Sequence, residues 1–243
     1  MMTNKKNPFT RPSFIGAAAL TAFIVILGLV LAVRQLVAGG GADPDPTNPS
    51  PATTAPSTPS ALSADSICGL SGLVESGTVA SAPETNWEYE DTTAYPTSET
   101  YGPGEMSPEG VRYCFQHSPE GALFAAANSV SQGSGAHSED WIKYFLSANA
   151  PNRDQLINDA GESSGSSSIR MNIMGYRVLS YDANSARIDI AIRGAGSGRA
   201  VYGSIIHNLT WESGDWKLLP KDSEDPLPMV QIPDLAGYIS WGN

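Results

Sequence analysis

An uncharged apolar run near the N-terminus constrains this chain more than any other feature. Residues 13–33 read SFIGAAALTAFIVILGLVLAV, a run of about 21 residues without a charged side chain. A helix rises ~1.5 Å per residue, so the run is long enough to cross a hydrocarbon core of about 30 Å. We therefore predict a transmembrane helix over residues 13–33.

A cleavable signal peptide is the alternative interpretation of this run. Lys5, Lys6 and Arg11 form a basic leader, and the sequence LVAGG around Ala38 resembles a cleavage site. The apolar core of a signal peptide is usually only about 7 to 15 residues long, so the length favours an uncleaved signal anchor. No lipid-modified cysteine is expected after the run, because the first cysteine is Cys68.

The charge distribution predicts the orientation and excludes one class of partner. Three basic residues precede the predicted helix, Arg34 follows it, and no acidic residue comes before Asp43. This basic excess places residues 1–12 in the cytoplasm as a short tail and the rest of the chain outside. Subtracting the four basic residues up to Arg34 from the net charge of −11 leaves −15 for residues 35–243. Direct binding of nucleic acid is not expected, because so acidic a surface repels phosphates.

Composition divides the external part into three segments. Residues 34–66 are rich in Pro, Thr, Ser and Ala and are predicted to be a disordered linker. Residues 67–109 hold too many aromatic side chains for free disorder, while prolines and glycines interrupt regular structure. The aromatic residues of this segment include Trp87, Tyr89, Tyr95 and Tyr101. We interpret residues 67–109 as an irregular aromatic arm lying over a domain of residues 110–243, with a strap that binds a partner as the alternative.

The two cysteines agree with an external location. Cys68 and Cys114 are the only cysteines, and an even number outside the cell is typical of a disulfide. Closing a loop of about 47 residues would stabilise the fold by on the order of 4 kcal/mol through the entropy of the unfolded chain. Two unpaired buried thiols are the alternative.

Three helices are predicted at the start of the domain. In SPEGALFAAANSV, Ser118 is a helix cap and Pro119 occupies the first helical position. A second helix is predicted in SEDWIKYFL with Ser138 as its cap, and a third in PNRDQLIND from Pro151. All three come before nearly all of the predicted strands.

The rest of the domain is typical of antiparallel strands. SIRMNIMGYRVLSY is interpreted as a strand pair or one bent strand, and RIDIAI alternates with its isoleucines inward and Arg187 and Asp189 outward. A meander continues through RAVYGSIIHNLTW and WKLL, with Trp211 and Trp216 flanking a four-residue turn. Core packing is the default explanation for these two rings, and a pocket wall is the alternative. The fold class predicted from this order is α+β.

No motif predicts catalysis. The sequence GESSG, with Ser163 at its centre, matches G-x-S-x-G but lacks a strand before it and a helix after it. His117, His137 and His207 have no metal-binding spacing. Asp189 is predicted to point away from the isoleucine face, so no acid–base pair is expected, and neither is a cofactor or a metal. The candidate ligand pocket consists of Phe124, His207, Trp211 and Trp216.

Helices followed by a meander ending in WESGDWKLLP resemble the NTF2-like cone fold, in which helices pack on a curved antiparallel sheet. This resemblance covers about residues 110–221. With the anchor, the linker, RYCFQHSPEGALFAAAN and the closing DLAGYISWGN, the chain resembles bitopic accessory proteins encoded on conjugative elements of actinobacteria. It also resembles, distantly, conjugation channel components of the VirB8 and TcpC type. Proteins of the TcpC type have two NTF2-like units, whereas one is expected in this chain.

The resemblance implies a non-catalytic scaffold or accessory protein of a conjugative DNA-transfer or secretion apparatus. It would be a single-pass protein of the cell membrane with its C-terminal domain outside. Its expected partners are other membrane or envelope proteins, conjugation channel components among them, and a second copy of the chain. The alternative function is an envelope binding module that holds a small or lipidic ligand in the cone pocket.

Overall fold

The computed structural model describes residues 65–90, 92–134, 137–162, 170–196, 199–221 and 225–242. All of these belong to one compact unit, residues 58–243. The predicted cytoplasmic tail, the predicted transmembrane helix and nearly all of the predicted linker lie outside the described residues. Within the described ranges, no helix combines the length and the apolar character that a membrane crossing requires.

The protein is α+β, as the sequence predicts. Its helices are α1 (Pro119–Gln132), α2 (Ser138–Phe145) and α3 (Arg153–Glu162). Its strands are β1 (Asn86–Glu90), β2 (Thr93–Thr97), β3 (Glu105–Met106), β4 (Arg112–Tyr113), β5 (Arg170–Asp182), β6 (Ser185–Gly196), β7 (Arg199–Glu212), β8 (Asp215–Leu218), β9 (Met229–Ile232) and β10 (Ile239–Ser240).

The helix starts agree only in part with the prediction. Helix α1 begins as expected, because the Ser118 hydroxyl accepts a hydrogen bond from the Gly121 N–H and Pro119 follows the cap. Helix α2 corrects the prediction: Ser138 is its first helical residue, and the cap position belongs to His137, whose side chain makes no capping bond. Helix α3 starts at Arg153 rather than at Pro151.

The main sheet is antiparallel in the order β10-β5-β6-β7-β8. Strand β5 is one long strand rather than a strand pair, and its register with β6 shifts twice, once between Ile173 and Gly175 and once between Val178 and Ser180. Each shift places an extra residue in β5, and such bulges bend a strand. Two short strands pair with different parts of β7. Strand β8 pairs with residues 209–212, and β9 pairs with residues 202–205.

The predicted irregular arm contains a regular element. Strands β1 and β2 form an antiparallel hairpin from Asn86 to Thr97, and β2 packs on α1. On its other side, α1 packs on β5 and β6, so the helix lies between the hairpin and the main sheet. This position explains why thirteen of the fourteen residues of α1 are buried.

The C-terminal segment ties these layers together. Strand β10 pairs with β5, and the Trp241 ring lies 5.4 Å from Phe124 of α1 and 5.3 Å from Trp87 of β1. The Trp241 indole N–H donates to the Thr85 hydroxyl over 3.0 Å. The contacts of Trp241 therefore join the arm, helix α1 and the main sheet.

Candidate ligand cavity

A cavity of about 360 Å³ lies between the helices and the inner face of the sheet. The end of α1, the start of α2, the middle of α3 and the strands β5 and β7 all contribute to its wall, together with residues 225–227. Its apolar wall includes Val130, Trp141, Ile142, Leu156, Met171 and Ile205. The volume and the apolar wall are typical of small-molecule sites, which measure roughly 300–1,000 Å³.

A buried hydrogen-bonded pair lies at the inner end of this cavity. His207 of β7 is fully buried, and its Nε2 lies 2.6 Å from the Ser129 hydroxyl of α1. The same hydroxyl donates to the Ala126 carbonyl over 2.7 Å. His207 Nδ1 has no hydrogen-bond partner among the described residues, although the backbone of Ile188 lies opposite it in the sheet.

Burial keeps the His207 imidazole neutral. Loss of solvent lowers the pKa of His207 to about 4, while the nearby backbone of Ile205 and Ile188 and the charge of Asp189 act in the opposite direction. Around neutral pH the ring is therefore uncharged. The arrangement lacks the third group that orients the base in a serine–histidine–carboxylate site, because no described carboxylate contacts Nδ1.

The rim of the cavity is acidic. Asp159 of α3 and Asp225 both line it, and both are exposed to solvent. The Asp225 carboxylate accepts a hydrogen bond from the Leu227 N–H over 3.1 Å, which shapes the short segment that closes one side of the cavity. Among the described residues, the wall contains no lysine or arginine.

The four residues predicted to form the ligand pocket do not surround this cavity together. Only His207 of the four lines it. Phe124 is fully buried between Tyr101 and Trp241. Ser129, Asp159, Asp225 and the apolar wall were missed by sequence reasoning, because they come from helix ends and a loop that are far apart in the chain.

Trp211 and Trp216 form a separate cluster in the core. They face each other across β7 and β8 with ring centroids 5.2 Å apart. The His117 ring stacks on Trp211 at 3.8 Å, and its Nε2 lies 2.5 Å from the Ala183 carbonyl oxygen. Both tryptophans are at most 9% exposed, so the rings serve core packing.

The predicted disulfide is confirmed. Cys68 and Cys114 are bonded, with their Cα atoms 5.9 Å apart. Beside it, the buried Asp215 carboxylate accepts hydrogen bonds from the N–H groups of Cys114 and Phe115. Burial raises the pKa of Asp215, while the charge of Lys217 and these N–H groups act in the opposite direction. Asp215 thus fixes the start of β8 to the bridged segment.

Asp189 corrects another prediction. It lies on the face opposite the isoleucines, but it is fully buried rather than solvent-exposed. Arg177 pairs with it at 2.5 Å, and Ser204 and Tyr238 donate hydrogen bonds to it over 2.7 and 2.9 Å. The C-terminal segment that carries Tyr238 covers this part of the outer face, which the local alternation of β6 does not reveal.

A second cavity, of about 590 Å³, lies between Ile67 of the arm and α2. Its charged wall residues include Asp140 and Lys143, which lie 3.8 Å apart, and Lys143 also pairs with Glu139 at 2.6 Å. Glu109 is the remaining charged residue of this wall, and no described polar side-chain atom of the wall is both buried and without a partner. The first cavity, whose wall includes His207 with its unpartnered Nδ1, is therefore the better ligand candidate.

The described ranges contain no group of three or more His, Cys, Asp or Glu side chains that could hold a metal ion. Ser163, the centre of the GESSG motif, lies outside the described residues.

The chain belongs to the family of DUF8175, a domain of unknown function, whose model matches residues 45–240. No curated protein matches the chain, and no solved structure matches it. Because the family match runs through both the arm and the helix-and-sheet domain, these two parts make up one family unit.

Proposed function

We propose that this chain is a non-catalytic, membrane-anchored scaffold or accessory protein of a conjugative DNA-transfer or secretion apparatus. Residues 13–33 anchor it, the N-terminus is cytoplasmic, and the described domain acts outside the cell membrane. The disulfide between Cys68 and Cys114 supports this location, since disulfides persist in oxidising compartments.

We assign the domain to the NTF2-like cone class. Three helices precede all the strands of the main sheet, and the consecutive strands β5 to β8 pair antiparallel in chain order. The bulges in β5 supply the bending that a cone-shaped sheet needs. The order of helices and strands and the bulges of β5 therefore support the NTF2-like class independently of the sequence resemblance.

The exposed apolar edge strand β9 is the observation that carries the scaffold function. Met229 and Val230 are each 62% exposed, and the strand, MVQI, has no charged side chain. Among the described residues, β9 pairs with β7 on one side only. Stable proteins protect such edges from pairing with other chains, and an unprotected one is suited to strand addition by a partner. We propose that a strand of another envelope protein pairs with this edge of β9.

Gene deletion with complementation tests the function. A strain lacking the protein should transfer DNA or secrete proteins less efficiently, and the wild-type chain should restore the activity. Val230→Lys should fail to restore it, because lysine on an edge strand opposes pairing. Tyr89→Lys is the control, since Tyr89 is 63% exposed but lies on the hairpin. Normal transfer and secretion in the deletion strain would contradict the proposal.

A second candidate function is supported by the cavity at Ser129 and His207. In this alternative the chain is an envelope binding module that holds a small or lipidic ligand. Native mass spectrometry of the full chain should then detect a bound molecule, and lipid extracts should change the tryptophan fluorescence, since Trp141 lines the cavity. The absence of a bound molecule, together with tryptophan fluorescence that does not change on addition of the extracts, would contradict the ligand-binding function.

A further inference from the structure

The rim and the interior of the cavity differ in chemical character. Asp159 and Asp225 lie at the exposed rim, while Ile142 and Leu156 inside are 3% and 4% exposed. Rim carboxylates next to a low-dielectric wall attract a cation more strongly than carboxylates on an open surface. The site therefore has one anionic end and one apolar end.

The rim carries two carboxylates, and the described residues that line the cavity include no cation. Neither Asp159 nor Asp225 forms an ion pair with any described residue. An anionic ligand would be repelled here, and a positive group would find carboxylates available for pairing.

The inner wall selects against a second charge. Trp141, Ile142 and Leu156 line the cavity with apolar side chains, which do not solvate a charge. At the inner end, His207 Nδ1 lacks a partner among the described residues and the ring is fully buried. A ligand whose inner part is apolar, or carries a single neutral hydrogen-bonding group, suits this environment.

We propose that this cavity binds a single-chain amphiphile with a cationic head, such as a short alkyl amine or alkyl quaternary ammonium compound. The head lies between Asp159 and Asp225, and the alkyl chain lies against Trp141, Ile142 and Leu156. A volume of about 360 Å³ admits one short chain and not the two acyl chains of a membrane lipid. This inference rests on the second of the two functions proposed above.

Isothermal titration calorimetry on the full chain in phospholipid nanodiscs tests the inference, with empty nanodiscs as the reference. The probes are hexyltrimethylammonium, 1-hexanol and hexyl sulfate, which share one alkyl chain and differ in the charge of the head. Hexyltrimethylammonium should bind about tenfold more tightly than 1-hexanol, and hexyl sulfate should bind most weakly.

Neutral variants locate the head. Asp159→Asn and Asp225→Asn should each weaken binding of hexyltrimethylammonium about threefold, and both together about tenfold, while binding of 1-hexanol stays unchanged. The amide introduced by Asp225→Asn keeps an oxygen that accepts from the Leu227 N–H. Asp154→Asn is the matched control, because Asp154 is an exposed carboxylate of α3 that does not line the cavity. If the double variant has a lower melting temperature than the wild-type chain, the affinity of Asp159→Asn alone for hexyltrimethylammonium is the deciding measurement.

The outcomes distinguish a failure of the cationic-head inference from a failure of the ligand-binding function on which it rests. Equal binding of hexyltrimethylammonium and 1-hexanol, or an equal loss in Asp154→Asn, would overturn the cationic head and leave the ligand-binding function standing. Binding of none of the three probes would overturn both. Preferential binding of the cation that depends on Asp159 and Asp225 supports both.

Discussion

The Arg112 guanidinium donates a hydrogen bond to the Glu90 carboxylate over 2.9 Å and thereby joins the arm hairpin to the domain. Its Nε donates to Asn128 of α1 over 2.9 Å, and its charge lies 3.7 Å from the Tyr95 ring centroid. Arg112 is only 5% exposed, so one buried cation connects the hairpin with the central helix. The arm is therefore an integral layer of the fold.

Removing this cation should destabilise the protein strongly. Arg112→Met leaves the Glu90 carboxylate and the buried Oδ1 of Asn128 without the cation that donates to them, which should lower the free energy of unfolding by about 3 kcal/mol. Urea denaturation measures the loss. Lys143→Met is the control, because it removes only exposed pairs with Glu139 and Asp140 and should cost less than about 1 kcal/mol. Similar losses in the two variants would contradict this role of Arg112.

Reduction of the disulfide should also weaken the fold. The bridge joins residues 46 positions apart, and its loss should lower the free energy of unfolding by about 2–5 kcal/mol. Denaturant titration with and without a reductant measures the change. The double variant Cys68→Ala with Cys114→Ala should be insensitive to the reductant. An unchanged denaturation midpoint of the wild-type chain after full reduction would count against the prediction.

His207 should make the protein sensitive to mild acid. Burial lowers its pKa in the folded state from 6.5 to about 4, so the unfolded chain binds one more proton between these pH values. The contribution of His207 to the free energy of unfolding should therefore fall as the pH drops from 6.5 to 4, by on the order of 3 kcal/mol in all. Below pH 4 this loss stays constant.

Two histidine variants separate this effect from other titrating groups. His207→Gln does not titrate and should give a shallower dependence of the free energy of unfolding on pH between 6.5 and 4.5. His137→Gln, a change at an exposed histidine, should keep the wild-type slope. Denaturant titrations at several pH values give the slopes, and an unchanged slope in His207→Gln would refute the assignment.

The turn between β7 and β8 should accept one stabilising change. Ser213 and Gly214 have φ values of 56° and 80°, the left-handed region that two-residue hairpin turns with Asn-Gly favour. Ser213→Asn should stabilise the protein by up to about 1 kcal/mol. Gly214→Ala should destabilise it, because a Cβ there would lie 3.1 Å from the Ile67 backbone nitrogen. Melting temperatures should move in opposite directions, and a shift in the same direction would contradict the account of the turn.

Local chemistry made part of the fold predictable. Ser118 and Pro119 mark the start of α1 because a cap depends only on neighbouring residues. Trp211 and Trp216 were placed correctly in the core because their strands alternate regularly around a short turn. The disulfide was predictable because Cys68 has only one possible partner in the chain.

Features that depend on distant segments were not predictable in the same way. The alternation of β6 places Asp189 on the outer face, where Arg177, Ser204 and Tyr238 from other segments contact it and it is buried. The cavity combines α1, α2, α3 and a loop near Asp225, so no single window of sequence contains it. The sequence did not predict the β1–β2 hairpin, because Pro96 indicates a break in regular structure and yet lies inside β2, where it pairs with Trp87.

Photo-crosslinking in intact cells at two positions tests the central claim most directly. A photoreactive amino acid is placed at Val230 on the free edge of β9 or at Tyr89 on the hairpin, which are 62% and 63% exposed. After irradiation, the tagged chain is purified from detergent-extracted membranes and the attached proteins are identified by mass spectrometry. The scaffold account predicts that position 230, and not position 89, captures a conjugation channel or secretion component. Capture of no other protein at position 230, or the same proteins at both positions, would contradict it.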